Sequence, residues 1–225
     1  MAADVCRRAK VPISLHLDHC QDVELVKYAA SLPFDSIMVD MSHYEKEENL
    51  RLTKELTAYC HERGIATEAE PGRIEGGEDG VKDTAELEGI MTTPDQAIEF
   101  MDTGIDFLAP AFGNVHGAYS SKGPRAHLQF DRLREVQKTT TGKVQLVLHG
   151  SGSFTEDIYQ DCIKLGVTKI NVNSQLIEPW AEMMGTRKAF TPLTKLIEDS
   201  IDVFQEEVVK LMKWAGSCGK AVKVE

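Results

Sequence analysis

Three of the seven histidines end or follow apolar, strand-like runs: His19 behind Asp18 in ISLHLDH, His116 in FLAPAFGNVH and His149 in QLVLH. Gly117 and Gly150 directly follow two of them. This pattern puts each imidazole at the C-terminal end of a strand. In an α/β barrel those ends converge on one face, where the chemistry is done. Three neutral imidazoles meeting there leave a fourth coordination position open, as in a catalytic rather than a structural zinc site. One strand-end histidine is ordinary packing. Three of them, one preceded by Asp and two followed by Gly, point to a metal site.

Strand-like and helix-like patterns alternate along the chain and would place these residues. Strands are expected over 13–18, 35–40, 66–70, 106–112, 144–149 and 168–173. Helices with apolar residues at three- and four-residue spacing are expected over 21–31, 45–63, 94–102, 130–139 and 155–165. Thr93-Pro94 reads as an N-cap followed by proline at the first helical position, and Gly64, Gly104 and Gly166 fall where helices should stop. Residues 176–214 read as two helices broken around Pro192. Such alternation implies a parallel sheet with right-handed crossovers. No glycine-rich dinucleotide fingerprint follows the first strand, whereas site-like residues follow nearly every strand. A barrel is therefore favoured over an open doubly wound sheet.

A closed (β/α)8 barrel needs eight strands, and six are visible. Before Ile13 there is only a helix tail, roughly ADVCRRAK. The expectation is one α/β domain over 1–225: a TIM barrel with about six βα units present and the first two missing. The strands at 13–18 and 168–173 would then each lack a neighbour on one side. Such edges invite self-association, with weak zinc binding and weak activity for this chain alone.

At 225 residues, 42% hydrophobic and 27% charged, the composition is that of an ordinary globular domain. A net charge of -11 argues against a nucleic-acid or membrane surface. It leaves room for a phosphorylated substrate, because backbone N–H groups bind phosphate whatever the total charge. Cys6, Cys20, Cys60, Cys162 and Cys218 are odd in number and form no CxxC pair, as reduced cytoplasmic thiols would.

LHLDH, EAEPGRIEGGED, FGNVHGAY, LVLHG and KINVNS, in this order, resemble the zinc-dependent class II fructose-bisphosphate and tagatose-bisphosphate aldolases. The similarity runs along essentially the whole chain, through the terminal GSCGKA. It implies that His19, His116 and His149 bind Zn2+ and that Asp18 is the acid/base residue. The chemistry agrees: retro-aldol cleavage needs a group to take the C4 hydroxyl proton and a metal to polarise the neighbouring ketone. Adjacent strand residues point to opposite faces, so Asp18 and His19 share a site only where the strand ends and turns. Otherwise Asp18 caps the next helix, a role Asp22 fits equally.

Asp40 and Glu70 end the next two strands. By resemblance they supply oxygen ligands for a second or alternative metal position; read from the residues alone they are acceptors that orient the histidines. Met41 departs from the glycine often found after that aspartate. Residues 71–93 hold Gly72, Gly76, Gly77 and Gly80 with four acids among 75–83. By default this is a solvated loop; by resemblance it covers the substrate, with Glu78, or its competitor Glu75, exchanging a proton at the reacting carbon. Gly150, Ser151 and Gly152, and Asn171, Val172, Asn173 and Ser174, supply small donors after the last two strands, where barrels commonly bind phosphate. Gly117 joins them by resemblance. HGSGS stands where the family usually has HGGSG, which leaves the phosphate geometry open.

The expected activity is reversible cleavage of a ketose 1,6-bisphosphate, fructose or tagatose, to dihydroxyacetone phosphate and glyceraldehyde 3-phosphate. The resemblance also implies a homodimer or homotetramer and a monovalent cation, Na+ or K+, near the phosphate. Two other readings stand beside it. One is a catalytically inactive relative serving binding or scaffolding. The other is a zinc barrel hydrolase, which usually opens with an HxH pair, whereas His16 and His19 are three apart.

Overall fold

The computed structural model describes residues 1–76 and 89–221. In chain order the elements are α1 (Ala2–Arg8), β1 (His16–Cys20), α2 (Val23–Ala29), β2 (Ser36–Val39), α3 (Lys46–His61), β3 (Ala66–Ala69) and β4 (Glu75–Gly76). There follow α4 (Pro94–Met101), β5 (Phe107–Leu108), β6 (Val115–His116), a 3-10 turn at Pro124–Ala126, α5 (Phe130–Thr140), β7 (Gln145–Leu148), α6 (Glu156–Lys164), β8 (Val167–Ile170), α7 (Ser174–Gly185) and α8 (Leu193–Trp214). Six strands form one parallel sheet in the order β1-β2-β3-β5-β7-β8. β4 and β6 form a separate two-stranded parallel ladder.

Local chemistry sets the helix ends. Thr93 and Gln96 form a reciprocal capping box with Pro94 in the first turn of α4. Asp22 caps α2 by accepting from Leu25 N at 2.7 Å. Helix α3 buries Leu52, Leu56 and Cys60, one per turn, together with Thr53 and Thr57. Two apolar clusters result. One, from α2, α3 and β2, includes Val26, Ile37, Val39 and Leu56. The larger one packs Phe100, Phe112, Leu133, Leu148 and Tyr159 under β5 and β7. Helices α7 and α8 pack on one another through stacked Trp180 and Phe204, with Trp180 Nε1 donating to Ser200 Oγ at 3.0 Å.

The sheet is curled into part of a barrel. β1 and β8 are its two edges, and five flat interstrand steps would separate them by about 24 Å. Yet Asn171, directly after β8, hydrogen-bonds Asp18 of β1. The C-terminal ends of the strands therefore face one another across a common interior.

One expected strand is shorter than its apolar run. Of residues 106–112 only Phe107–Leu108 lie in β5. Ala109 N still donates to Ala69 O, but Ala111 N then turns to Thr92 Oγ1 and Phe112 N to Asn114 Oδ1. Side chains, not a neighbouring strand, satisfy this stretch of backbone.

Candidate active site

β1 carries a bulge where the chemistry needs it. Leu17 pairs with Ile37 and Cys20 with Val39, so Asp18 and His19 together oppose one residue of β2. His19 takes a left-handed φ of 44°, which costs a non-glycine residue about 1–3 kcal/mol. The extra residue breaks the strand's alternation and lets neighbouring side chains reach the same interior.

His19, His116 and His149 converge there, with one ligand nitrogen of each within 4.8 Å of the others. The facing atoms His19 Nε2 and His149 Nδ1 are 3.0 Å apart. Buried carboxylates hold the far nitrogens. His19 Nδ1–H donates to Asp40 Oδ2 at 2.8 Å, and His149 Nε2–H donates to Glu68 Oε1 at 2.8 Å. Burial alone would raise the Asp40 carboxyl, but hydrogen bonds from His19 and Ser42 and the charge of His19 bring it down to about 2. With those protons on the carboxylate side and none between the rings, the two facing nitrogens would present lone pairs to each other, a contact that a proton or a metal cation between them relieves.

The surroundings call for the same charge. Burial opposes a charged His19, yet the Asp40 hydrogen bond and the carboxylates of Asp40, Asp18 and Glu70 push it up to about 9. Glu70 accepts from Ile74 N at 2.6 Å through Oε1, while its buried Oε2 has no hydrogen-bond partner among the described residues. Burial and the neighbouring Asp40 push Glu70 up to about 8. Three imidazoles ringed by carboxylates, one of them carrying an unpartnered oxygen, fit zinc in donor type and charge. Asp40 is engaged behind His19 rather than beside the facing nitrogens; Glu70 hydrogen-bonds no imidazole.

Asp18 is half-exposed at the wall of this interior. Asn171 Nδ2 donates to its Oδ1 at 3.1 Å and Oδ2 at 2.9 Å. His16 Nε2 lies 3.5 Å from Oδ1. Burial would raise the Asp18 carboxyl; the His16 contact and the charges of His149, His19 and Lys169 hold it well below the usual carboxylate range. Asp22, not Asp18, caps α2. His16, Asp18 and Glu68 form a second cluster of metal-capable side chains, but Glu68 already carries the ammonium of Lys169 at 2.8 Å.

A cavity of about 560 Å³ opens beside Asp18 and His116. Gly117, Gly150, Ser151, Gly152, Asn171, Val172, Asn173 and Ser174 all line it, as do Ile177 and Glu178. The two loops after β7 and β8 meet closely, a Cβ at Gly152 lying 2.2 Å from Ser174 Oγ, and Gly150 packs on β6, where a Cβ would lie 2.6 Å from Val115 O. Ser151 Oγ donates to Asn171 O at 2.6 Å, and Tyr119 Oη to Gly150 O at 2.8 Å. The N-terminus of α7 begins on this wall at Ser174. Glycine-loop amides beside a helix N-terminus suit a phosphate.

His116 departs from the expectation of a strand-end residue in the main sheet. It lies on β6, held by the ladder to β4, where Gly76 is its partner. Gly76 has φ 92°, and a Cβ there would sit 2.0 Å from His116 O. Gly76 of β4 thus contributes directly to positioning a candidate ligand. Glu78 lies outside the described residues. Glu75 lies on β4, exposed. Glu68 and Lys169 were not singled out by the sequence reading. The signal for Glu68 was its spacing of two from Glu70, which puts both on one face of the strand expected over 66–70.

Residues 1–220 match the family described as Fructose-bisphosphate aldolase class-II. A Coccidioides immitis (strain RS) protein provisionally named a fructose-bisphosphate aldolase is 53% identical, over 98% of this chain and 75% of its own. The fructose-bisphosphate aldolase of Geobacillus stearothermophilus is 35% identical over 95% of this chain and 73% of its own. The 6-phospho-5-dehydro-2-deoxy-D-gluconate aldolase of Bacillus subtilis (strain 168) is also 35% identical, over 95% and 72%. A crystal structure of a Coccidioides immitis protein, provisionally titled a fructose-1,6-bisphosphate aldolase, superposes with a TM-score of 0.93 at 54% identity, covering 97% of this chain and 76% of that one.

Proposed function

The chain belongs to the class II fructose-bisphosphate aldolase family, a family of carbon–carbon lyases, and from that premise we propose that it is a zinc-dependent aldolase reversibly cleaving fructose 1,6-bisphosphate. The products would be dihydroxyacetone phosphate and glyceraldehyde 3-phosphate. One observation carries the reading: the Asp40 and Glu68 hydrogen bonds fix the protons of His19 and His149 so that their remaining nitrogens face each other at 3.0 Å, beside His116.

His19, His116 and His149 would hold Zn2+, which supplies polarisation of the substrate ketone and stabilises negative charge developing there. Asp40 orients His19, and Glu70 offers an oxygen for an alternative metal position. Asp18, ionised and held by Asn171, takes the proton from the C4 hydroxyl as the carbon–carbon bond breaks and returns it in the condensation direction. The amides of Gly117, Gly150–Gly152 and Asn171–Ser174 seat the phosphate nearest the ketone, with Na+ or K+ beside it. Glu78 serves proton exchange at the carbon next to the ketone. The active form is a homodimer or homotetramer.

The name of the Bacillus subtilis relative supports a second substrate reading. Both compounds carry a phosphate on the carbon next to a ketone, so one phosphate seat and one carbonyl site would serve either; they differ at the far end. Tagatose 1,6-bisphosphate differs from fructose 1,6-bisphosphate only at C4, within reach of Asp18. Assays with all three substrates test the assignment. Preferential cleavage of fructose 1,6-bisphosphate is expected. Preference for another substrate would reassign it, and cleavage of none, with zinc bound, would favour the inactive-relative reading.

A further inference from the structure

We infer that Lys169 is a positioning residue that sets the orientation of the Asn171 amide and so the donor presented to Asp18; the catalytic consequence rests on the role proposed for Asp18. Lys169 lies on β8, its side chain 26% exposed. Its Nζ donates to Asn171 Oδ1 at 2.7 Å and pairs with Glu68 Oε2 at 2.8 Å. Lys169 and Asn171 are two residues apart, so strand alternation sends both side chains into the same interior.

Asn171 stands between two groups of opposite character. An ammonium only donates and an ionised carboxylate only accepts, whereas a side-chain amide has one accepting and one donating end. With Oδ1 taken by Lys169, Nδ2 must face Asp18, where it reaches both oxygens, and it also lies 3.2 Å from His149 Nε2. The flipped amide would set an oxygen against the Asp18 oxygens and an NH2 against the ammonium. Without Lys169 only the first of these two penalties remains. Glu68, fully buried, anchors the ammonium from the other side while its Oε1 takes the His149 proton. The order His149, Glu68, Lys169, Asn171, Asp18 thus joins a candidate metal ligand to the candidate base.

The test uses K169M, K169R, N171A and the double variant K169M/N171A, with E68Q/K169M to remove both charges where a buried, unpaired Glu68 unfolds the single variant. K169M, or E68Q/K169M in its place, should lower kcat for fructose 1,6-bisphosphate roughly 10- to 100-fold, the range for losing one charge-assisted bond. KM and zinc content should stay near wild type in K169M, and K169R should restore most of the rate; E68Q/K169M is compared with E68Q at saturating zinc, because Glu68 also holds His149. The double variant K169M/N171A should be no slower than N171A, because Lys169 acts through Asn171. Multiplying losses, or wild-type kcat in K169M, would overturn the inference. A second readout needs no turnover: the Asn171 side-chain NH2 pair in a 15N–1H NMR spectrum, identified by its loss in N171A. It should move in K169M and stay in place in K169R; an unmoved pair in K169M would overturn the inference. A protein that cleaves no fructose 1,6-bisphosphate, yet shows this NMR response, would refute the proposed reaction and leave the positioning role standing.

Discussion

Asp18 and Asn171 sit at opposite edges of a six-stranded sheet and still hydrogen-bond, at 2.9 and 3.1 Å. Curvature brings the base-like carboxylate of the first strand to the amide that follows the last, and that amide lies 3.2 Å from His149 Nε2 of the imidazole cluster. The site depends on that curl: a flat sheet with the same side chains would hold no common interior.

Asp18→Ala should separate chemistry from metal binding. Zinc content should remain at the wild-type level while cleavage falls roughly 10²–10⁴-fold, the range for losing a general acid/base. Near-normal turnover would remove Asp18 from the mechanism.

Asp40→Asn and Glu68→Gln should each weaken zinc affinity about 10–100-fold without removing a ligand, because each acceptor fixes the tautomer of one imidazole. Competition with a chromogenic chelator reads the affinity. Wild-type affinity in both would show that the carboxylates do not prepare the histidines.

Gly76→Ala should disturb His116 from a distance. The added Cβ meets the His116 carbonyl at 2.0 Å, and a φ of 92° is strained for alanine. Lower thermal stability and substoichiometric zinc are expected. Full zinc and an unchanged melting temperature would mean that the β4–β6 ladder does not hold the ligand.

Thiol reactivity checks the packing independently. Cys218 is exposed and Cys6 partly so, while Cys20, Cys60 and Cys162 are buried. Burial pushes the Cys60 thiol up to about 11 and that of Cys162 up to about 12. The thiolate is the reacting form, so at pH 8 a disulfide reagent should modify Cys218 first and Cys6 next, and the other three only after unfolding. Rapid modification of all five in the native protein would contradict the fold.

The alternation of strands and helices was legible because periodicity follows from burial, and helix α4 could be bounded by its Thr93-Pro94 start alone. The three histidines were legible by residue type. How Asp18 and His19 share one interior was not: that needs a bulge at His19, and nothing in HLDH marks a left-handed histidine. The β4–β6 ladder was hidden because two-residue strands carry no pattern. Lys169 was passed over because lysine is usually exposed; its interior partners are Asn171 and the buried Glu68 of β3, a strand separated from β8 by β5 and β7 in the sheet.

The most direct measurement of the central claim is cleavage of fructose 1,6-bisphosphate by the purified protein before chelation, after chelation and after zinc is restored. We expect dihydroxyacetone phosphate and glyceraldehyde 3-phosphate in equal amounts, loss of activity with the metal and recovery with zinc. His116→Ala and His149→Ala should neither retain zinc nor recover. Cleavage that survives complete metal removal, or zinc retained by both histidine variants, would contradict the account.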